Sequence, residues 1–484
     1  MGSMRTAIFR CDASVRMGNG HVMRCLTLAE YLRDRGWGCI FSVSPNTNND
    51  FPLLLKSGFV ITGSDEEYCG VGPVNLIVID GYQFSASNEK FYRSLTDTIV
   101  VIDDLANRPH DCDVLIDQTY DRQIGSYSSF VPSHCTILTG AEYAILRPQF
   151  YEIRESSLIR RSNANGAIKR ILISMGGTDP YNYTSQALSA VERFGFEIDV
   201  LIGSGSPHVE SLKSYVRDMQ AHGTHIHLHI DSSQVAELMA AADIAIGAAG
   251  TTAWERCCLG LPSILIELAE NQKTIARNLM RAGAAYNLGW HGDVNAEMIS
   301  RVVSKFIDNP DQVLEMSMHA SNICDGRGIE RLYRHLDTPL ISIRHATIQD
   351  AERIYEWRNS DATRKASTNS NKIPFPVHMK WLKESLNNPL RDILIFEKNR
   401  EPFGVLRFDY DRDTAVISIY LARQMIGQGL GTILLQRASS WLVIHRPEIN
   451  KIYADVLAEN TRSKKAFLGA GYQYCGTRLE KPIR

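Results

Sequence analysis

Ile171-Leu172-Ile173-Ser174-Met175-Gly176-Gly177-Thr178-Asp179-Pro180 decides the fold of the middle of the chain. A short apolar run predicts a strand, and the glycine pair that follows breaks it into a tight turn. The same order recurs twice. Residues 198–202 run into Gly203-Ser204-Gly205-Ser206, and residues 244–247 run into Ala248-Ala249-Gly250-Thr251-Thr252, ahead of a further apolar run at 263–266. Strand, glycine turn and helix in repetition predict a parallel sheet with crossover helices. Residues 297–336 read as helices that close this lobe.

Toward the N-terminus the pattern repeats. Residues 6–10 are β-branched and apolar, a glycine-containing loop follows, and residues 22–35 carry apolar side chains at helical spacing. Residues 39–43, Leu76–Asp80, 98–103 and Val114–Asp117 are further short apolar runs, several ending on an acidic residue. They predict a second open α/β lobe, with the polar stretch 154–166 as a hinge. Two such lobes place a ligand cleft between the carboxyl ends of their strands. Beyond Asp337-Thr338-Pro339 the pattern changes. Strands are predicted at Ile341–His345, 393–397, 404–409 and 415–421, the last three antiparallel, with a helix at 348–358. A glycine turn at 427–431 opens a helix over 432–443, before a strand at 451–456 and a helix at 461–468. The expected domains are 4–155, 156–337 and 341–484.

Composition narrows the function classes. Of 484 residues, 44% are hydrophobic and 22% charged, enough to bury sizeable cores. Residues 341–484 hold 23 Lys and Arg against 15 Asp and Glu, whereas residues 1–340 hold 29 against 39. That break in charge bias coincides with the change of pattern. No run reaches the roughly 18 apolar residues of a membrane span, and no basic-then-apolar leader opens the chain. The ten cysteines contain no C-x-x-C pair. A reduced, cytoplasmic protein without a membrane partner is expected. The basic residues after 340 are dispersed and lack interleaved aromatics, so no nucleic-acid partner is expected.

Gly18-Asn19-Gly20-His21 sits between the first strand and the first helix. Its glycines let backbone approach a ligand, and a histidine where the helix dipole disfavours added positive charge is placed to accept a proton. An isolated G-x-G-H is an ordinary loop. Two cradles in the next lobe give it weight. Gly176, Gly177 and Thr178, and the turn carrying Gly250, Thr251 and Thr252, each follow a strand and are expected to open a helix, whose amides suit phosphate oxygens. Glu255, one turn further on, can accept from ribose hydroxyls, and Asn271 and Gln272 can reach a base, ribose or sugar. Together they predict a nucleoside diphosphate site. His225, His227 and His229 alternate along one strand, but no acidic or thiol ligand accompanies them, and no metal site is expected.

Several segments make a family resemblance specific. They are Arg10-Cys11-Asp12-Ala13-Ser14, Gly18–Arg24, Ile79-Asp80-Gly81-Tyr82, Ile102-Asp103-Asp104, Tyr143-Ala144-Ile145-Leu146-Arg147, Met175–Asp179 and Glu255. Through them residues 4–290 resemble the GT-B-type sugar-nucleotide hydrolases of pseudaminic acid synthesis, relatives of a peptidoglycan glycosyltransferase. The resemblance implies cleavage of UDP from UDP-2,4-diacetamido-2,4,6-trideoxy-β-L-altropyranose, with inversion and without a metal. It places His21 as general base and Asp12, Gly20, Arg24 and Tyr82 toward the sugar or the water, although Asp12 reads equally as a loop cap. The chemistry agrees. Glycosidases need two carboxyl groups because an alkoxide leaves poorly, whereas UDP departs as a stabilised anion and one base suffices.

After residue 340, Arg423-Gln424-Met425-Ile426-Gly427-Gln428-Gly429-Leu430-Gly431 fits Q/R-x-x-G-x-G/A. It resembles the pyrophosphate-binding turn of the GNAT acetyltransferases, which implies an α/β GNAT domain and acetyl-CoA as co-substrate. Gln424, Gly427, Gln428, Gly429 and Gly431 would line that turn. Asn460-Thr461-Arg462-Ser463, with Gly469-Ala470-Gly471-Tyr472, is similar to the second block of that superfamily and adds Asn460 and Ser463. Many members carry a tyrosine seven residues after the asparagine. Here Phe467 stands there, leaving Tyr472 or Ser463 as stand-in acids, with Tyr472 equally readable as a core aromatic. Glu356-Trp357-Arg358-Asn359 and His378-Met379-Lys380-Trp381 resemble acetyltransferases acting on the 4-amino group of UDP-linked sugars, and offer Arg358, Asn359 and His378 as substrate contacts.

The expected fold is therefore α/β: a GT-B-like pair of Rossmann-like lobes, then a GNAT domain. The expected function is acetyl-CoA-dependent acetylation of a UDP-4-amino sugar followed by hydrolytic release of UDP. A glycosyltransferase with an appended acetyltransferase, the legionaminic series and a non-catalytic sugar-nucleotide sensor are the alternatives.

Overall fold

The computed structural model describes residues 5–12, 19–44, 47, 52–63, 74–96, 98–132, 134–337, 341–367, 369–398, 401–476 and 478–483. Ala13, Ser14, Gly18, Thr338 and Pro339 of the quoted motifs lie outside these. The chain forms two compact units, one of 1–123 and 137–335, the other of 124–136 and 336–484.

The first unit holds two sheets. One contains β1 (Thr6–Cys11), β2 (Gly38–Ser42), β3 (Val60–Thr62), β4 (Leu76–Asp80), β5 (Ile99–Ile102), β6 (Val114–Asp117) and β7 (Thr136–Thr139), in the order β3-β2-β1-β4-β5-β6-β7. The other contains β8 (Arg170–Ser174), β9 (Glu197–Ile202), β10 (Ile226–Ile230), β11 (Ile244–Ala248), β12 (Ser263–Glu267) and β13 (Ala285–Trp290), in the order β10-β9-β8-β11-β12-β13. Its strand pairs are parallel. Both orders reverse direction beside the first strand of the lobe, where a doubly wound sheet opens its crevice. Buried on both faces, these strands read as near-continuous apolar runs. Ile171, Ile173, Ile198, Val200, Ile244, Ile246, Ile264 and Ile266 fill one side of the second sheet. Leu172, Ala245 and Leu265 fill the other, as the two-residue period of a strand requires.

The expected hinge at 154–166 is instead most of a 17-residue helix, Pro148–Ala164, and the expected boundary at 155/156 falls inside it. Beyond Phe150 its buried side chains are polar, which hides it from hydrophobic periodicity. Ser157 and Arg161 are buried. Arg161 donates to the carbonyls of Leu259, Ala242 and Met239 at 2.5–2.9 Å, and Arg154 donates to Cys258, Cys324 and Ser321. These carbonyls terminate or follow other helices, where a guanidinium satisfies acceptors that a helix leaves open. The helical stretch expected over 297–336 is three helices, Ala296–Asp308, Pro310–Ile323 and Gly328–Asp337.

The second unit is one mixed sheet: β14 (Ile341–His345), β15 (Arg391–Lys398), β16 (Glu401–Asp411), β17 (Thr414–Leu421), β18 (Lys451–Ala454), β20 (Arg478–Pro482) and β19 (Gln473–Cys475), in that spatial order. β14 to β17 are antiparallel, and β17 pairs parallel with β18. Leu394, Phe396, Leu406 and Phe408 pack on helix Leu430–His445 through Leu434, Leu435, Ala438 and Trp441. Ile393, Ile395 and Val405 pack on the opposite face against Ile354 and Leu382. Residues 124–136 join this unit, where Arg437 donates to Thr136 Oγ1 at 3.2 Å.

Among the described residues no helix is long and apolar enough to cross a membrane. The nine cysteines among them are free thiols.

Candidate functional site

His21 is the second residue of helix Gly20–Arg33 and is buried beside the end of β4. Its Nδ1 lies 2.6 Å from Asp80 Oδ1. Arg24, one turn along the same helix, brackets that carboxylate, with Nε to Oδ2 at 2.5 Å and Nη2 to Oδ1 at 2.6 Å. Burial alone raises the Asp80 pKa, but the charges and hydrogen bonds of Arg24 and His21 override it and bring it down to about 2. Burial opposes the Arg24 charge, yet Asp80 and Asp104 hold its pKa well above the ordinary value. A carboxylate flanked by a fixed cation can accept only from Nδ1–H. That tautomer leaves Nε2 as the basic nitrogen, and Nε2 makes no hydrogen bond among the described residues.

Tyr82 stands edge-on to the imidazole, ring centroids 4.7 Å apart. Its hydroxyl donates to Asp104 and accepts from Asn271 Nδ2 at 2.7 Å. Burial and the Asp104 carboxylate raise the Tyr82 pKa, so it remains a phenol. Asn271 comes from the other lobe, just before helix Gln272–Arg281. The lobes meet at two further points. A Cβ on Gly20 would lie 3.3 Å from Thr251 Oγ1, and one on Gly177 would lie 2.9 Å from Asn19 Nδ2. His21, Arg24, Tyr82, Gly20, Gly177, Thr251 and Asn271, scattered in sequence, are thus brought together. Asp80 and Asp104 belong to the same cluster but were not singled out as candidate site residues. The signal was present, since each is the acidic residue at the end of a strand or just beyond it, in the quoted motifs.

The cradles differ. After β8 the chain turns at Gly176, in the left-handed region at φ +91°, but no helix opens at Thr178. The helix begins at Tyr183, and Asp179 has taken its first amides, accepting from Tyr183 N at 2.9 Å and Thr184 N at 2.8 Å. An acidic side chain just beyond the expected cradle does the work of a cap. What remains of the Gly176–Thr178 turn is close backbone approach, since Gly203 N donates to Gly177 O at 3.1 Å. After β11, helix Thr252–Cys258 does begin at the turn, without a side-chain cap. The amides of Gly250, Thr251 and Thr252 have no acceptor among the described residues. Gln272 Nε2 borders Gly250, while its Oε1 accepts from Leu268 N at 2.9 Å. Glu255 faces Arg147, Oε1 to Nη2 3.6 Å, and burial raises its pKa against that charge.

Asp12 shares no hydrogen bond with His21, Arg24, Asp80 or Tyr82 among the described residues. Its oxygens accept from Ser44 N, Thr47 Oγ1, Arg10 Nη1 and Gln83 Nε2 at 2.6–3.2 Å, which is the loop-cap arrangement. Of the three alternating histidines, His229 binds Asp199 at 2.8 Å, and Arg170 holds the same carboxylate at 2.5 Å. No group of three metal-ligating side chains occurs among the described residues.

In the second unit, Gly427 and Gly429 adopt φ +93° and +78° and deliver the chain to helix Leu430–His445, which has no side-chain cap. Gln428 Nε2 donates to Gln424 O at 2.9 Å and closes the turn. Gly431 lies in the first helical turn, its would-be Cβ 3.7 Å from Ala466. Pairing of β17 with β18 ends at Ile417 and Ala454, so residues 418–421 pair on one side alone. That leaves a strand edge next to the uncapped helix, a place for an extended amide-bearing ligand with a terminal anion. Asn460 caps helix Thr461–Gly469, accepting from Ser463 N at 3.1 Å.

One expected role in this unit is corrected, and three expected contacts carry structural bonds. Tyr472 is 2% exposed and packs edge-on to Phe467 in the core, where a phenol cannot reach a thioester. His378 is buried, bonds the Ala351 carbonyl at 2.9 Å, and burial lowers its pKa. It ties two helices together. Asn359 holds Ile373 through both its amide atoms, at 2.8 and 3.1 Å. Arg358 donates to Asn369 O at 3.0 Å and pins the same loop. Helical spacing and polar identity drew attention to these residues, and packing decided their roles.

Comparison with known proteins adds family context. Residues 171–330 match the family model of the glycosyltransferase family 28 C-terminal domain, and residues 341–473 that of the acetyltransferase (GNAT) domain. An uncharacterised protein of Methanocaldococcus jannaschii is 25% identical across 97% of both chains. The UDP-2,4-diacetamido-2,4,6-trideoxy-β-L-altropyranose hydrolase of Campylobacter jejuni is 26% identical, covering 57% of this chain and 96% of that protein. The crystal structure of Acinetobacter baumannii MurG aligns at TM-score 0.50 and 15% identity, over 69% of this chain and 99% of that one. The chain is thus α/β throughout: a GT-B-like, nucleotide-sugar glycosyltransferase-like pair of Rossmann-like lobes fused to a GNAT acetyltransferase domain.

Proposed function

We propose that the protein acetylates the 4-amino group of a UDP-4-amino-4,6-dideoxy-β-L-AltNAc-type sugar and then hydrolyses the product, UDP-2,4-diacetamido-2,4,6-trideoxy-β-L-altropyranose, to UDP and free sugar. The observation that carries the hydrolytic half is the buried Arg24–Asp80–His21 cluster set against the second lobe's uncapped turn. In the proposed step, His21 Nε2 takes a proton from water as its oxygen attacks the anomeric carbon. The bond from that carbon to the diphosphate oxygen breaks, and UDP leaves as an anion held by the amides of Gly250, Thr251 and Thr252. The Asp80 carboxylate stabilises the imidazolium that forms. Tyr82 and Asn271, joined across the lobes, would close the sugar site.

The acetyl-transfer half rests on the GNAT match, the uncapped helix Leu430–His445 and the parted β17 and β18. The amine nitrogen attacks the thioester carbonyl of acetyl-CoA, the carbon–sulfur bond breaks, and the departing thiolate gains, through solvent, the proton that the amine gives up. The activity named for the Campylobacter relative supports the substrate class, as does the metabolic sense of joining an acetylation to the hydrolysis of its product.

The test incubates UDP-4-amino-4,6-dideoxy-β-L-AltNAc with the protein, with and without acetyl-CoA, measuring UDP by chromatography and the sugar by mass. UDP release that depends on a single acetyl gain is expected. Neither product forming would remove the proposal, and UDP release only with an added sugar acceptor would favour a glycosyltransferase. The acetyl-CoA turn has its own check. A side chain at Gly429 must adopt a left-handed backbone at a cost of about 1–2 kcal/mol. Gly429→Val should therefore weaken CoA binding by about tenfold in titration calorimetry and leave UDP binding unchanged.

A further inference from the structure

Arg256 follows Glu255 in helix Thr252–Cys258 and is 1% exposed. Its Nη2 donates to the Ala248 carbonyl at 2.6 Å, and a Cβ on Gly247 would come within 2.6 Å of Nη1. The guanidinium therefore lies against the last residues of β11, the strand that leads straight into the turn whose amides, on Gly250, Thr251 and Thr252, have no acceptor among the described residues. Its Nε and Nη1 have no hydrogen-bond partner among the described residues. Arg161, equally buried in the same lobe, makes a useful contrast, because each of its three nitrogens donates to a carbonyl. A buried cation normally receives such full compensation, and one that does not is costly to keep. Burial lowers the Arg256 pKa to about 10 and Cys257 and Glu255 offset only part of that, so it remains a cation at neutral pH.

We propose that Arg256 is the counter-charge of the nucleotide site: a positioning residue beneath the turn whose buried charge is balanced when a diphosphate binds above it. Acting through the backbone it touches, it sets the preference of the site for a diphosphate over an uncharged nucleoside. The inference rests on the UDP reading above and deepens it. It explains why an arginine stands where a methionine would fill the space. An apolar side chain would relieve the lobe of an uncompensated charge but give the turn no attraction for a dianion. Because the cation lies behind the turn rather than in the cleft, the attraction does not need a direct contact and leaves the amide geometry free.

The experiment uses the full chain and compares UDP with uridine by titration calorimetry in the wild type, Arg256→Gln, Arg256→Met and Arg256→Lys. Glutamine keeps a donor for the Ala248 carbonyl and removes the charge, so it guards against a folding defect in the methionine variant. In the neutral variants UDP affinity is expected to fall about tenfold, as for loss of a charge several ångströms away at an intermediate dielectric, with uridine affinity held within about twofold. The lysine variant should keep most of the preference. Without ligand, the glutamine variant should melt no lower than the wild type, because a charge only partly offset has been removed while a donor to Ala248 is kept, and UDP should raise its melting temperature less. An unchanged ratio of UDP to uridine affinity in the glutamine variant, or equal losses of both ligands, would overturn the role. A wild type that binds uridine but not UDP more tightly would also overturn it, whereas a wild type that binds neither removes the nucleotide reading and this inference with it.

Discussion

His21→Ala is expected to lower the rate of UDP release by about 10²–10⁴-fold while leaving UDP affinity within about twofold. The two readouts separate because the proposed base and the proposed diphosphate turn belong to different lobes. His21 follows β1 at the start of its helix, and Gly250, Thr251 and Thr252 follow β11. Alanine removes the Nε2 lone pair that accepts the proton of water, without touching the amides that receive the leaving group. It also removes a hydrogen-bond donor to Asp80, but Arg24 still brackets that carboxylate through Nε and Nη2, so the fold should persist. Pre-steady-state release of UDP and calorimetric titration of UDP on the same preparation check the pair. A variant that keeps most of its release rate with native UDP affinity would remove His21 from the mechanism, and the base would have to be sought elsewhere.

Asp80→Asn carries the second large effect, and it acts on both rate and stability. An amide in place of the carboxylate presents either its oxygen or its NH₂ to Nδ1. It no longer forces the tautomer in which Nε2 is the base, nor does it stabilise the imidazolium. Release of UDP should fall by about 10³-fold, in line with tautomer loss in a His–Asp pair. Arg24 is at the same time left as a buried cation whose principal partner is gone, with Asp104 Oδ2 3.6 Å away. Breaking one side of a buried ion pair costs about 3–5 kcal/mol, read as a lower denaturation midpoint.

The acid branch supplies an independent sign. The folded-state pKa of Asp80 is brought down to about 2, below the roughly 3.9 of an unfolded aspartate. Its contribution to stability is therefore fully present above about pH 4, and is lost as pH falls through about 2. The wild type should lose about 2 kcal/mol over that window from this group, and Asp80→Asn should not. Chemical denaturation at pH 5 and pH 2.5 measures the difference. Parallel pH curves for the two proteins would show that Asp80 does not hold the charge assigned to it.

Much of the architecture was legible because it is local. Apolar runs of four to six residues, broken by glycine, need only the two-residue period of a strand and the left-handed freedom of Gly176, Gly427 or Gly429 to be recognised. Helix Leu430–His445 and its glycine turn were found in this way, as were β8, β9 and β11. The helix Pro148–Ala164 was not, since periodicity counts apolar residues and, after Phe150, its buried residues are Ser157 and Arg161. Its stabilisation comes from carbonyls about 80–170 residues away in sequence, which no window along the chain can contain.

The candidate site divides along the same line. Sequence alone determined that a histidine and two glycine turns follow strands in two successive α/β lobes, and that a third such turn lies beyond a change in charge bias. Each is a statement about neighbours along the chain, enforced by backbone sterics. Tertiary structure alone decided which polar groups meet. Asp80 joins His21 across 59 residues, Asn271 reaches Tyr82 across 189, and Arg256 comes to rest beneath its own turn with two donors unpaired. It also withdrew a residue from chemistry, giving Tyr472 to the core. The reason is physical. A hydrogen bond or an ion pair is worth little until burial removes water, and burial belongs to the folded whole.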